Sequence, residues 1–224
     1  MTEIEIAKIK NVLNIAEQGT QSIPYGKVEV MPDGPKGINQ ITLSVGFTQY
    51  GGNLGKVIDE YLVRGGVQTG LGRYKMGDSG LAYNSTFKGL LKLAGNDPIM
   101  QSVQEELYVS LYIGPAIKWG ESEGFVEPLS FLVICDSFLH SGSILTFLRN
   151  RFTERTPKWG GDERAWIIAY IDVREKWLAT HSNKLLRNTT YRTRYYRELA
   201  NLGDWGLLEH HKLAMNGIKP LLIV

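Results

Sequence analysis

The sequence predicts a mostly helical α+β fold of two lobes, a small β-hairpin lobe and a helical body, flanking a cleft. Three observations carry that expectation. Apolar residues recur at helical spacing near the start of the chain and through most of its second half. The period drops to two only in a short stretch that begins at Lys27. A length of 224 residues suits one domain whose two lobes share a cleft. The expected organisation is a single domain over 1–224, with the β-rich lobe at about 22–50 and the helical body in the remainder.

Each element has a local reason. Thr2 followed by Glu5 is a capping box, and Ile9, Val12, Leu13 and Ala16 then fall on one helical face. Glu17 follows Leu13 by four, which sets it at the edge of that face, and Gly19 is a helix stop. Val28 and Val30 alternate with Lys27 and Glu29, and Pro32-Asp33-Gly34-Pro35 is a turn by its chemistry. Ile41, Leu43, Val45 and Phe47 then alternate with Thr42, Ser44, Gly46 and Thr48, as a returning strand with one apolar face. Helices are expected over 55–64, 84–94 and 97–119, the last opened by Asp97-Pro98 as N-cap and first helical residue. The stretch 127–140 is apolar nearly all round and predicts a central buried helix. Further helices fit 142–152, 161–179 and 190–200.

Composition narrows the function classes. A hydrophobic fraction of 43% and a charged fraction of 21% allow a full core without staples. The lone cysteine, Cys135, sits in the apolar run "SFLVICDSF" and reads as a small buried hydrophobe. A net charge of +2 is far from a nucleic-acid footprint, and it mildly disfavours a polycationic substrate. The Arg/Tyr run "YRTRYYRE" accordingly reads as an amphipathic helix with a solvated Arg face rather than a nucleic-acid surface. No 18-residue apolar run predicts a membrane span, and "MTEIEIAKIK", with acids early, is no signal peptide, so any export is expected to use another route or a removed segment. There is no Gly-rich phosphate loop and no metal spacing: His210 and His211 are adjacent and would point different ways. His140-Ser141-Gly142-Ser143 lacks a Gly-x-Ser-x-Gly elbow and reads as a helix-ending turn. The expected protein is a monomer without cofactor, metal, nucleic-acid partner or membrane span.

Paired carboxylates are the chemistry left. Glycoside hydrolysis needs one carboxyl that holds its proton and one carboxylate that activates water or attacks. Glu17, at the negative end of a helix and beside an apolar face, has the environment that keeps a carboxyl protonated. Asp33, in an exposed turn, has the environment that keeps one ionised. Thr42, on the polar face of the following strand, can orient a water. Acids at helix ends and Asp-Gly turns are also common without any catalytic task.

The arrangement "AEQGT", hairpin, "ITLSVGF" resembles the catalytic segment of the lysozyme superfamily, and within it the chitosanases of glycoside hydrolase family 46. "FLVICDSFLHSGS" resembles the family helix whose Asp precedes a His-Gly turn. "RTPKWGGDERAWIIAYIDVREKWL" and "YRTRYYRELANLGDWGL" resemble its later Arg-containing segments. The resemblance spans most of the chain, with residues 55–120 poorly matched. It implies a lysozyme-like fold and an inverting hydrolase of β-1,4-linked amino-sugar polymers. Glu17 becomes the general acid, Asp33 the base, and Thr42 a holder of the attacking water. Asp136, Arg155 and Arg174 become a buried network behind the acid, in which the Asp shares the Arg charge. Tyr50, Asn53 and Ser44 are expected to contact substrate; Tyr25, Trp119, Trp159 and Trp166 are further aromatic candidates for sugar stacking, more readily explained as packing.

The pattern departs from the family's in three places. Asp33 lies further from Thr42 than the family's Asp does from its Thr, which leaves Glu29 open as an alternative base. Gln40-Ile41 stand where the family has Gly-Tyr. Asn53 stands near the place of a family acid that binds the glucosamine ammonium. That last departure, with the slightly basic charge, tilts the expected substrate from chitosan toward peptidoglycan in extracellular or periplasmic wall material. A non-catalytic glycan-binding module of the same fold is the alternative.

Overall fold

Helix α1 (Glu3–Gln18) begins and ends as its sequence requires. The Thr2 amide donates to Glu5 Oε2 at 2.7 Å and the Glu5 amide to Thr2 Oγ1 at 3.3 Å, so the capping box is closed. Gly19 adopts φ 73° and donates its N–H to the Ile15 carbonyl at 2.9 Å. The computed structural model describes residues 1–20 and 22–208, with the strand backbone of Lys212–Leu213 and Leu221–Leu222. The chain forms two compact units, one of Met1–Gln21 with Ser110–Val224 and one of Ser22–Val109.

The second unit holds the three-stranded sheet and continues into helices well beyond residue 50. Strands β1 (Val28–Met31), β2 (Gln40–Leu43) and β3 (Phe47–Thr48) pair antiparallel in that order, with Glu29 opposite Thr42 and Thr42 opposite Thr48. The single returning strand expected over 41–48 is therefore two strands. Ser44 at φ 55° and Gly46 at φ 105° enter the left-handed region and reverse the chain, and a period-two pattern does not reveal such a reversal. The alternation still tells burial: Ile41, Leu43, Val45 and Phe47 are all buried. Helices α2 (Asn53–Val63), α3 (Ser85–Ala94) and α4 (Pro98–Tyr108) complete the unit. Asn84 caps α3 by accepting from the Phe87 amide at 2.9 Å, and Asp97 caps α4 through the Ile99 amide at 3.0 Å. Gln49 Nε2 donates to the carbonyls of Met76 and Asp78 at 2.9 and 2.8 Å, fastening the connection after α2 to the end of β3.

The helix expected over 97–119 is interrupted. A π-helical turn over Val109–Ile113 separates α4 from α5 (Gly114–Ser122). Pro115 has no N–H to give and its ring crowds the preceding turn, so a straight α-helix cannot run through it.

In the first unit α6 (Pro128–Ser141) is the central helix, buried from Pro128 to Ser137. Around it lie α1, α5, α8 (Glu163–Ala179) and α10 (Tyr191–Leu202). Two short helices, α7 (Thr146–Arg149) and α9 (Lys184–Arg187), serve as connections. The helix expected over 142–152 shrinks to α7, because Gly142 sits at φ 79° and ends α6 there. An aromatic cluster of Trp119, Phe125, Phe138, Phe152, Trp166 and Tyr170 packs beside α6, with centroid separations of 5.0 to 6.3 Å. Trp119 and Trp166 are thus packing residues of this unit rather than sugar platforms. Among the described residues no helix is long and apolar enough to cross a membrane.

Candidate active site

The interior of the first unit contains a chain of alternating charges that ends at Glu17. Asp136, on the largely apolar helix α6, is fully buried. Its Oδ2 accepts from Arg174 Nη1, and Arg174 Nη2 reaches the Asp136 carbonyl at 3.4 Å. Its Oδ1 accepts from Arg192 Nη1 at 2.5 Å. The other arm of the same guanidinium, Nη2, donates to Glu17 Oε1. Arg174 and Arg192 are 1% and 2% exposed, whereas the Glu17 side chain retains 24% exposure, so Glu17 is the one member open to solvent. Tyr191 Oη donates to the Ala16 carbonyl at 2.6 Å, so the first turn of α10 holds the last turn of α1 from two adjacent positions.

Burial alone would neutralise Asp136. Arg192 and Arg174 outweigh that penalty and hold its carboxyl below the usual carboxylate range. Arg192 is penalised by burial as well, and the charges of Glu17 and Asp136 hold it firmly protonated. With Glu17 ionised the four side chains sum to zero charge.

The structure brings together Glu17, Asp136 and Arg174 and leaves Arg155 out. Arg155 is exposed on a surface loop, and Arg192 occupies the bridging place. The signal for Arg192 lies in its spacing. Arg192, Tyr195, Tyr196 and Leu199 fall at i, i+3, i+4 and i+7, all on the buried stripe of α10. Arg194 and Arg197 lie off that stripe and pair with Glu175 and Asp172 of α8. The Arg face expected over the whole run is therefore confined to those two. Arg174 likewise shares a stripe with Ile167, Tyr170, Ile171 and Leu178, and its neighbouring acids are taken by α10.

His140, near the end of α6, completes the surroundings. Its Nδ1 lies 3.3 Å from Arg174 Nη2 and accepts from it in the neutral tautomer. Burial first, then the charges of Arg192 and Arg174, push the imidazole down to about 3, with Asp136 opposing. Unfolded, the same ring titrates near the ordinary 6.5. A depressed folded value means that the stability it contributes is complete above about 6.5 and is lost as pH falls toward 3. Unfolding in urea at pH 6.5 and pH 5 should therefore show stability falling with a slope of up to ~1.4 kcal/mol per pH unit. In His140→Asn that slope should flatten; an unchanged slope would remove His140 from the account.

The other sequence-derived acids lie in the second unit. Asp33 is exposed in the loop after β1 and accepts from Gln40 Nε2 at 3.0 Å. The same amide group, through Oε1, accepts from the Tyr50 N–H at 3.1 Å, so Gln40 ties the two together. Asp33, Gln40, Thr48 and Tyr50 line a hollow of about 360 Å³ with Gly34, Pro35 and Gly51. Gly34 is required there: a Cβ would stand 2.6 Å from the Ile38 carbonyl and 3.0 Å from the Tyr50 ring. Thr42 is half-buried in β2 and does not line this hollow, whereas Thr48, its cross-strand partner, does. Glu29 is exposed and paired with Lys27 at 3.0 Å. Asn53 is half-buried as the first residue of α2. Ser44 departs from its expected substrate-facing position: it is 2% exposed, drawn into the interior by the left-handed turn. Tyr25 donates to Glu105 at 2.8 Å, and burial, reinforced by that acid, pushes its phenol up to about 12. Among the described residues no group of three or more His, Cys, Asp and Glu is placed to hold a metal ion; His210 and His211 lie outside them.

Comparison with known proteins adds a family. The model of Glycosyl hydrolase family 46 matches residues 11–209. A curated chitosanase of Bacillus subtilis (strain 168) is 26% identical over 183 residues, covering 75% of this chain and 65% of that protein; the match thus spans just under two thirds of the relative's length. Among solved structures, a mutant chitosanase from Bacillus subtilis MY002 complexed with 6 GlcN is similar over 100% of both chains, at 21% identity and a TM-score of 0.86. The GH46 chitosanase of Gynuella sunshinyii in complex with chitotetraose is similar over 100% of this chain and 99% of its own, at 20% identity and a TM-score of 0.83. At those identities the structural likeness concerns the fold, which is the lysozyme-like architecture of small sheet and helical body.

Proposed function

The chain belongs to glycosyl hydrolase family 46, and from that premise we propose that it hydrolyses β-1,4 bonds of an amino-sugar polymer by single displacement with inversion, as a single catalytic domain over the whole chain. The observation that carries the reading is the charge chain Glu17–Arg192–Asp136–Arg174, buried except at its Glu17 end. Glu17 is the general acid. It gives its proton to the glycosidic oxygen of the leaving sugar, and the carboxylate left behind is received by Arg192. Asp136 keeps that guanidinium from acting as an isolated cation, and Arg174, oriented by His140, fixes Asp136. Asp33 is the general base that takes a proton from the attacking water, oriented by its bond from Gln40; Thr42 assists in holding that water. Tyr50 and Asn53 contact the sugar.

The proposed substrate is chitosan rather than the peptidoglycan that charge and Asn53 favoured. The relatives named above are chitosanases, two of them in complexes with glucosamine oligomers or chitotetraose. A net charge of +2 and one missing acid are weak arguments beside that, because net charge governs encounter more than recognition in a cleft. Incubating the protein with chitosan and with purified peptidoglycan, and following the new reducing end by NMR, tests the reading. The expected result is cleavage of chitosan with the product appearing first as the inverted, α anomer. A first-formed β anomer would replace inversion by a retaining mechanism. Binding of glucosamine oligomers without turnover would leave a glycan-binding module.

A further inference from the structure

We propose that the first unit carries a second ligand site, for a carboxylate-bearing sugar unit, built on Trp159 and Arg155. It shares no residue with the charge chain that ends at Glu17. Its frame is a hollow of about 360 Å³ lined by Glu123, Arg149, Arg155, Thr156 and Trp159, a volume within the range of ligand pockets.

Three features give the hollow a ligand chemistry. First, Trp159 leaves 64% of its surface in solvent, although the other aromatic residues nearby are packed together. It sits on the turn Pro157–Trp159, which is held firmly. The Trp159 and Gly161 amides both donate to the Thr156 carbonyl, at 2.9 and 3.2 Å, and the Lys158 amide donates to the Glu123 carbonyl at 2.9 Å. Gly160 is in the left-handed region, and a Cβ on Gly161 would stand 1.7 Å from the Arg155 carbonyl, so the loop closes tightly on itself. Lys158 Nζ stands over the indole, 5.5 Å from its centroid, and a rigid indole with most of its surface exposed still offers area to the C–H side of a pyranose ring.

Second, the hollow is cationic. The Glu123 carboxylate is already engaged: it accepts from Thr156 Oγ1 at 2.7 Å and lies 3.6 Å from Lys158 Nζ. Arg149 donates to the carbonyls of Phe152 and Glu154 at 3.0 and 2.7 Å, neutral acceptors that leave its charge unbalanced. Third, Arg155 is exposed and makes no ion pair among the described residues, and its planar fork suits a carboxylate. Two guanidiniums beside a stacking face repel a glucosamine ammonium and favour a uronate.

Calorimetric titration of the whole protein with oligogalacturonate, glucosamine hexamer, cellohexaose and polyglutamate tests the site, and it reads binding rather than hydrolysis. The uronate oligomer should bind more tightly than cellohexaose and polyglutamate, and should weaken with added salt. Trp159→Ala and Arg155→Gln, both at exposed positions, should each weaken it at least tenfold, keep an unchanged melting temperature and leave glucosamine hexamer binding as it was. Equal binding of polyglutamate would overturn the sugar part of the proposal. Equal binding of cellohexaose would overturn the carboxylate part. Uronate binding that survives both substitutions would overturn the site.

Discussion

Glu17→Gln should reduce chitosan hydrolysis by roughly 10²- to 10⁴-fold, the contribution of a positioned general acid, and leave oligosaccharide binding nearly intact. Gln keeps the size of Glu and an oxygen that Arg192 Nη2 can still donate to, so the end of α1 should stay where it is. What it lacks is a proton to give the leaving oxygen. The side chain is partly exposed, so the charge lost is the least buried of the four and the folding penalty should stay small. Initial rates on chitosan, paired with titration of glucosamine oligomers, check both halves. Full activity in the variant would remove Glu17 from the acid role. A parallel loss of binding and melting temperature would mark the change as structural. Asp33→Asn supplies the comparison: it is exposed and bonded to Gln40, so it should fold as the parent does and lose turnover through the water-activating step.

The sequence tells more about burial than about direction. The capping box, Gly19 and the apolar face of α1 were readable because each is a local rule obeyed by residues four or fewer positions apart. The buried α6 was readable from composition, whereas the buried cations around its Asp136 were expected only from the family resemblance. The reversal at Ser44–Gly46 was not, because alternation persists through a tight turn and backbone φ leaves little trace in a serine. The π turn at Val109–Ile113 was missed by the unbroken helix expected over 97–119, although Pro115 inside a helical pattern is the residue that signals a break. In the charge chain, resemblance alone chose Arg155, whereas helical phase selects Arg192. An Arg on a stripe with two tyrosines and a leucine must bury its guanidinium, and burial demands a carboxylate partner.

That demand makes Asp136 the most consequential residue for stability. Asp136→Ala should cost about 3–5 kcal/mol, because it leaves two nearly inaccessible guanidiniums facing each other without their shared carboxylate. Asp136→Asn should cost less, since an amide oxygen can still accept from one of them. The pH dependence has a definite sign. Asp136 is held below the ordinary carboxylate range by Arg192 and Arg174, so its contribution is complete above the unfolded carboxyl value and is lost only as pH falls through the depressed one. The gap between parent and Asp136→Asn should therefore be full at neutral pH and close only in strong acid. Urea unfolding across that range measures it, and an Asp136→Ala protein as stable as the parent would disprove the account. A double change, Asp136→Leu with Arg174→Met, separates charge from packing. Replacing a buried ion pair by apolar groups is often neutral, so this protein should regain part of the lost stability. It should not regain activity, because Arg192 would then face Glu17 with no second carboxylate to share its charge.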